Sequence, residues 1–417
     1  MIIRKAYKFK LKTNAKEKVF FAKAAGCVRV VWNRSLAVQK SNCEYINQQF
    51  RKLGGHALTE SESKKLKKDL YKKYFPTGFA IVTKVLVPIW KQSEELAFLN
   101  ECPAQSLQKP IADLDKAFYK AFTKKGGFPK FKKKGYNDSI HFPQGFKVKD
   151  RKVFLPKIGW IKFFKTRDIK GVIKNITVTS DGLGHWFASF CTEEERDVVT
   201  RVDGAIGIDL GITNTIAISN GTIVKKPKSI SKLFAIKRRV SRAVSRKKKG
   251  SSNRGKAIVV LKRVEAKIAN IRKDFLHKTS TELSKNHAIV VVEDLKILNM
   301  SKSTKGTKEN PGVNVRAKSG LNREILANGW GDFRTMLKYK QGYSGGILHS
   351  VNPVNTSRKC SDCGVIDKNS RVRQEWYECL HCGHEMHSDT NAAINILAAG
   401  RVALGDINNV GCLAQKS

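Results

Sequence analysis

Three acids and four cysteines are the residues of this chain whose types and spacing could do chemistry. Asp209 closes the first apolar run of IGIDLGITNTIAI (206–218), a stretch that reads as strand, turn at Gly211, strand. Glu293 stands at the exit of AIVVVEDL (288–295), apolar enough to be a fully buried strand. Asp389 lies in HSDTNAAINIL, just before a helix whose apolar positions Ala392, Ile396 and Ala399 recur at helical spacing. A carboxylate among residues that bury is costly unless a cation or a donor compensates it. Taken alone, Asp209 also fits a core strand whose acid merely starts a turn. Three such acids, at two strand ends and a helix start, can converge at one end of a sheet. There they repel one another when empty and become hard oxygen ligands for magnesium when filled. Two ions ~4 Å apart would activate a water and stabilise the leaving oxygen of a phosphodiester.

The cysteines form the most specific motif. Cys360-x2-Cys363, fifteen residues, then Cys379-x2-Cys382, with Gly364 and Gly383 after each pair, is the spacing of two metal-binding knuckles. Four thiolates complete tetrahedral zinc and leave no position for water, so the site is structural. His381, His384 and His387 are close by but have no coordination left to fill. The other five cysteines, Cys27, Cys43, Cys102, Cys191 and Cys412, are scattered singly and read as isolated thiols.

Around these residues the composition points to a polyanion. Lys and Arg number 80 against 35 acids, a net charge of +45 over 417 residues, while 41% hydrophobic content agrees with a folded chain. No run approaches the ~18 apolar residues of a membrane span, and the charge is spread along the whole chain, which favours nucleic acid over a membrane partner. The start, MIIRKAYKFKLK, lacks the apolar segment of a signal peptide, so a cytoplasmic location at the nucleoid is expected.

The elements that must position the site follow from periodicity. Residues 1–12 alternate Tyr7, Phe9 and Leu11 against Lys8, Lys10 and Lys12, a strand with one core face and one cationic face. Asn14 with Glu17 is a capping-box start for a helix to Gly26, and a longer helix follows through Val28, Val31, Trp32 and Leu36. Further helices are expected over 59–74 and 106–122. GFPKFKKKG (127–135) interleaves aromatics with lysines, so Phe128 could stack on a base while Lys130, Lys132 and Lys133 hold phosphates. Short β-rich runs continue to Cys191, and the acidic cluster Glu193–Asp197 reads as a linker near residue 200. Lys225 to Lys278 holds 20 basic residues and only Glu265 and Asp274 as acids. Split at GSSNRG (250–255), it predicts an antiparallel helical hairpin whose outer face, with Arg238, Arg239, Arg242, Arg246 and Lys247, contacts nucleic-acid backbone. Residues 301–320 are polar and glycine-rich, a mobile loop over the active site. Trp330, Phe333, Leu337 and Tyr343 mark a helix, followed by a strand over 347–354.

GIDLG, VVVEDL, the CSDC to CLHC ribbon and HSDTNAAINI, in that order, resemble the RuvC-like half of TnpB proteins over residues 201–400. These are the RNA-guided endonucleases of insertion sequences, related to type V CRISPR effectors. Many members carry Arg before the last acid, where this chain has Ser388. The resemblance implies a multidomain α+β protein. It assigns 1–13 to the first strand of a small β-barrel (wedge) domain, 14–122 to a helical recognition domain, and 123–200 to the rest of the barrel. A ribonuclease H-like nuclease domain would span 201–356, with the basic hairpin at 228–286; the zinc ribbon would span 357–386, a last nuclease segment 387–400 and a flexible tail 401–417. It further implies a guide RNA made from the transposon end, double-stranded target DNA beside a short transposon-adjacent motif, two catalytic magnesium ions on Asp209, Glu293 and Asp389, and one structural zinc. The alternatives are a guide-dependent binder that does not cleave and a transposase acting directly on DNA ends. DLGIT (209–213) also fits the phosphate loop of actin-like ATPases, but no adenosine loop accompanies it.

Overall fold

The computed structural model describes all residues except 75–77, 202, 372, 374 and 406–417, so Cys412 and most of the expected tail lie outside the described residues. The chain divides into two compact units, residues 2–196 and 197–417.

In the first unit, β1 (Ile2–Lys12) buries Ile3, Tyr7, Phe9 and Leu11 and exposes Lys8, Lys10 and Lys12. The capping box forms as expected, Glu17 N donating to Asn14 Oδ1 at 2.9 Å and Asn14 N to Glu17 Oε2 at 2.7 Å. The break expected at Gly26 is absent, because α1 runs from Ala15 to Lys52. A mid-helix glycine costs roughly 1 kcal/mol, and the continuous buried face of Ala24, Ala25, Cys27, Val28 and Val31 outweighs it. Trp32 and Leu36 pack on Leu114 and Phe118 of a later helix (Ala104–Phe122), while Ile46 and Phe50 pack on Leu70 of a helix at Glu60–Tyr74.

Seven strands form one sheet with β2 (Ser139–Phe142), β3 (Lys147–Lys149), β4 (Lys152–Leu155), β5 (Gly159–Phe163), β6 (Val172–Ser180) and β7 (Trp186–Glu195), in the order β2-β6-β7-β1-β5-β4-β3. The expected barrel is not closed: β2 and β3 remain edges. Both are short, and Pro143, which has no amide to donate, follows β2 directly. The acidic cluster is a strand end rather than a linker, since Glu193, Glu194 and Glu195 pair in register with Arg4, Ile3 and Ile2. Cations of the same sheet attract it there, with Arg4 Nε 2.8 Å and Lys174 Nζ 3.4 Å from Glu193.

The second unit is built on a five-stranded sheet ordered β10-β9-β8-β11-β12, from β8 (Ala205–Asp209), β9 (Ile216–Ile218), β10 (Ile223–Val224), β11 (Ile289–Glu293) and β12 (Ile347–Val351). β11 runs parallel to β8 and β12, and β9 returns antiparallel to β8. Ile206, Ile208, Val290 and Val292 face Leu276 and Leu283 of the helical hairpin's second arm and Trp330, Phe333 and Leu337 of a helix at Trp330–Ser344. Ile289, Val291 and Val351 face the opposite way, against Ile396 of the C-terminal helix Ser388–Leu404. That helix buries Ala392, Ala393, Ile396 and Gly400; Ala399, expected in its stripe, is exposed. The shift by one position follows from close approach, since a Cβ at Gly400 would lie 2.5 Å from a Val291 methyl.

The basic hairpin forms as expected, Lys228–Arg246 against Ser252–Asn286, with Ser251 capping the second arm by accepting from Arg254 N. The polar stretch 301–320 is only partly irregular, because a helix begins at Val315 and runs to Asn328. Ile325 and Ala327 bury on it, a stripe too short to stand out in a polar window. Among the described residues no helix is long and apolar enough to cross a membrane.

Candidate active site

The register of two neighbouring strands brings the first two acids together. Ile208 pairs with Val292, so Asp209 and Glu293 each stand one residue beyond that pair, at the C-terminal ends of parallel strands. Period-two alternation turns both acids to the face opposite Ile208 and Val292, the face covered by the C-terminal helix. That helix lies almost on the backbone of β8, since a Cβ at Gly207 would fall 2.1 Å from the Ala393 carbonyl oxygen. Its first turn carries Asp389, where the helix N-terminus favours negative charge. Three acids 84 and 180 residues apart in sequence, counted from Asp209, therefore meet at one end of one sheet.

Each carboxylate is held differently. Burial pushes Asp209 up to about 7, and the charges of Glu293 and Asp389 add to the shift. Burial also raises Glu293, partly offset by the hydroxyl of Thr356, which donates to Oε1 at 2.5 Å. Asp389 accepts from Asn214 Nδ2 at 2.9 Å and has Arg371 Nη2 at 3.7 Å. Mutual repulsion of this kind is relieved by a divalent cation. Among the described residues only the four cysteines have all their ligand atoms within 4.8 Å of one another.

A pH dependence follows. Asp209 titrates higher in the folded protein than in the unfolded chain, so the folded state binds the extra proton and its stability falls as pH rises from roughly 4 towards about 7. A cation that replaces the proton restores what is lost. In thermal melts, the gain from magnesium over a chelator is expected to be larger at pH 8 than at pH 5, and Asp209→Asn should flatten the difference; a gain independent of pH would contradict this account.

The cysteines sit on two turns whose Gly364 and Gly383 adopt φ of 78° and 71°, which only glycine takes without strain. Sγ atoms of Cys360 and Cys382 are 3.7 Å apart and those of Cys363 and Cys379 3.6 Å. Ligands at ~2.3 Å in a tetrahedron about zinc would be ~3.8 Å apart, so the set fits the ion. The Cys382 amide aimed at the Cys379 sulfur pulls that thiol down to about 6, close to the thiolate a metal needs. His384 contacts Ser361 instead, at 3.4 Å. On either side of the second knuckle, Trp376–Glu378 pairs with Glu385–His387.

The expected nucleic-acid residues are placed less uniformly. Lys8 and Lys10 project from the outer face of β1, with Lys8 Nζ 4.8 Å above the Phe187 ring. Phe128 is 59% exposed, its ring edge against Phe118 and Phe122, and Lys130 and Lys133 are exposed beside it. Lys132 turns inward, half-buried with Nζ 4.1 Å over the Trp32 ring, so it packs where its neighbours point to solvent. Arg238, Arg242 and Arg246 recur at one-turn spacing, ~6 Å, along a groove of about 1010 Å³ that Arg272 and Arg323 also line, over Phe234, Ile268 and Leu326. Arg239 and Lys247 are exposed outside that lining. Sequence reasoning missed Asn214, Thr356, Arg371, Arg272 and Arg323. Arg272 lies inside the basic run 225–278 and so shared its signal, whereas the other four carried none in a local window.

Residues 189–304 match the family model described as "Probable transposase", OrfB of IS605. Residues 330–396 match a Cas12f1-like TNB domain, and residues 1–45 match that family's "Helix-turn-helix domain", which in this chain are β1 and most of α1. A protein of Escherichia coli (strain K12) named "Putative RNA-guided DNA endonuclease InsQ" is 39% identical over 96% of this chain and 93% of its own. A Streptomyces pristinaespiralis protein of the same description is 29% identical over 96% of this chain and 90% of its own. In fold, the chain is similar to the Cas12f1 of a solved Cas12f1-sgRNA-target DNA complex, with a TM-score of 0.53 at 13% identity over 95% of this chain and 98% of that one.

Proposed function

This chain belongs to the TnpB family, the OrfB proteins of IS605, and from that premise we propose that it is a transposon-encoded, RNA-guided DNA endonuclease dependent on magnesium. The observation that carries the catalytic reading is the pairing of Asp209 with Glu293 at adjacent strand ends, under the helix turn that bears Asp389. Bound there, two magnesium ions would supply an activated water and charge stabilisation at the scissile phosphate. The chain's own part is to hold the three carboxylates: Thr356 orients Glu293, and Asn214 and Arg371 face Asp389. The sheet order, with β9 antiparallel and β8, β11 and β12 parallel, supports a ribonuclease H-like nuclease domain. The four cysteines hold one structural zinc, and their separations support it. Sequence choice is delegated to a guide RNA that pairs with one strand of duplex DNA beside a short adjacent motif, and the single acidic site cuts both strands in turn.

Purified protein should carry an RNA that maps to the end of its own element, and should cut a plasmid matching that guide only when magnesium is present. Protein free of RNA, or cutting indifferent to the guide, overturns the reading. The arginines of the groove are assigned to phosphate contact. Arg242→Ala combined with Arg246→Ala should weaken nucleic-acid binding uniformly across sequences and lower the slope of log K against log salt by about 2, one per lost contact.

A further inference from the structure

Asn214 is 3% exposed, at the end of a turn so tight that a Cβ on Gly211 would lie 2.4 Å from the Asn214 carbonyl. Its side chain does not serve that turn. It crosses 175 positions of sequence to donate from Nδ2 to Oδ2 of Asp389 at 2.9 Å. The amide has one tenable orientation at that distance, because an oxygen facing a carboxylate would repel it. Nδ2 also lies 3.4 Å from Nε2 of His387, whose Nδ1 accepts from the Asp389 amide at 3.2 Å. The opposite atom, Asn214 Oδ1, is buried without a partner among the described residues. An amide held only for packing would have both ends satisfied, whereas this one spends its donor on the third acid and leaves its acceptor without a partner among the described residues.

We propose that Asn214 is a positioning residue of the cleavage site, its amide holding Oδ2 of Asp389 in place while Oδ1, 3.7 Å from Arg371 Nη2, is left to the cation that Asp209 and Glu293 would share. The loop that begins beside the first acid thus sets the orientation of the third. The inference rests on the nuclease reading, since it concerns the carboxylate arrangement that reading assigns to divalent cations. Residues that orient a metal-ligating group change its affinity about 10–100-fold when removed.

The test uses guide-loaded, full-length protein. In Asn214→Ala, manganese binding measured by calorimetry should weaken about 10–100-fold, and the magnesium midpoint for cleavage should move up by the same factor. Cleavage at saturating magnesium should recover to near the parental rate, and guide binding should be unchanged. If that variant does not fold, Asn214→Ser, whose hydroxyl is too short to reach Asp389, gives the same readouts. Parental manganese affinity in a folded variant, or a loss of rate that saturating magnesium does not restore, overturns the assignment. Asp209→Ala in parallel separates the two levels: an active Asp209→Ala sinks the nuclease reading itself, whereas an inactive one beside an Asn214→Ala of parental affinity sinks only the role of Asn214.

Discussion

Asp209→Ala is expected to lower magnesium-dependent cleavage by at least about a thousandfold, equivalent to roughly 4 kcal/mol of transition-state stabilisation, while guide and target binding stay within a few-fold of the parent. The same substitution should leave the metal-free protein as stable as the parent or more so. Burial and two neighbouring acids raise Asp209 to about 7, so the folded state gains nothing from its charge when no cation is present. An acid retained for structure would behave in the opposite way, losing a favourable partner on truncation. The decisive comparison is the melting temperature with and without magnesium: the parent should gain on addition of the ion and Asp209→Ala should gain little. A variant that still cuts, or one that no longer binds RNA, would remove Asp209 from the catalytic role.

The parts of this site legible in the sequence are those in which local pattern and chemistry coincide. An acid closing an apolar run fixes its own place at a strand end, and Cys-x2-Cys spacing fixes a knuckle, whatever the rest of the chain does. What was illegible depends on partners far away. Thr356 meets Glu293 across 63 positions and Asn214 meets Asp389 across 175, and neither pairing leaves a mark in a local window. Gly26 looked like a helix end because its cost is local, whereas the burial that outweighs it comes from packing partners far along the chain. Glu193–Glu195 looked like a linker because their counter-charges lie on β1 and β6. The helix at Val315–Asn328 was hidden by a polar start whose preceding residue, Asn314, adopts a left-handed φ of 54° without capping it through its side chain.

Cys379→Ser is expected to cost more than its own site, and to do so by a route that differs from Asp209→Ala. The ribbon's core consists of little besides Cys360, Tyr377 and Cys379, too small to order a segment of about thirty residues without metal. That segment is bolted to the C-terminal helix by two asparagines. Asn391 accepts from Ser361 N at 2.9 Å and donates to the Lys359 carbonyl at 2.8 Å; Asn395 donates to the carbonyls of Thr356 at 3.0 Å and Lys359 at 2.7 Å. Thr356 in turn bonds Glu293, and Asp389 stands two residues before Asn391 on the same helix. Loss of the ion therefore loosens the segment whose Thr356 hydroxyl donates to Glu293 and whose carbonyls hold the helix that bears Asp389. The variant should contain close to no zinc, melt well below the zinc-loaded parent even without magnesium, and bind magnesium too weakly for added ion to restore cleavage. Asp209→Ala loses the response to magnesium in a sound fold, whereas Cys379→Ser loses the fold around the site first and the response with it. A Cys379→Ser protein that is stable and cuts at the parental rate would refute both the zinc and the coupling.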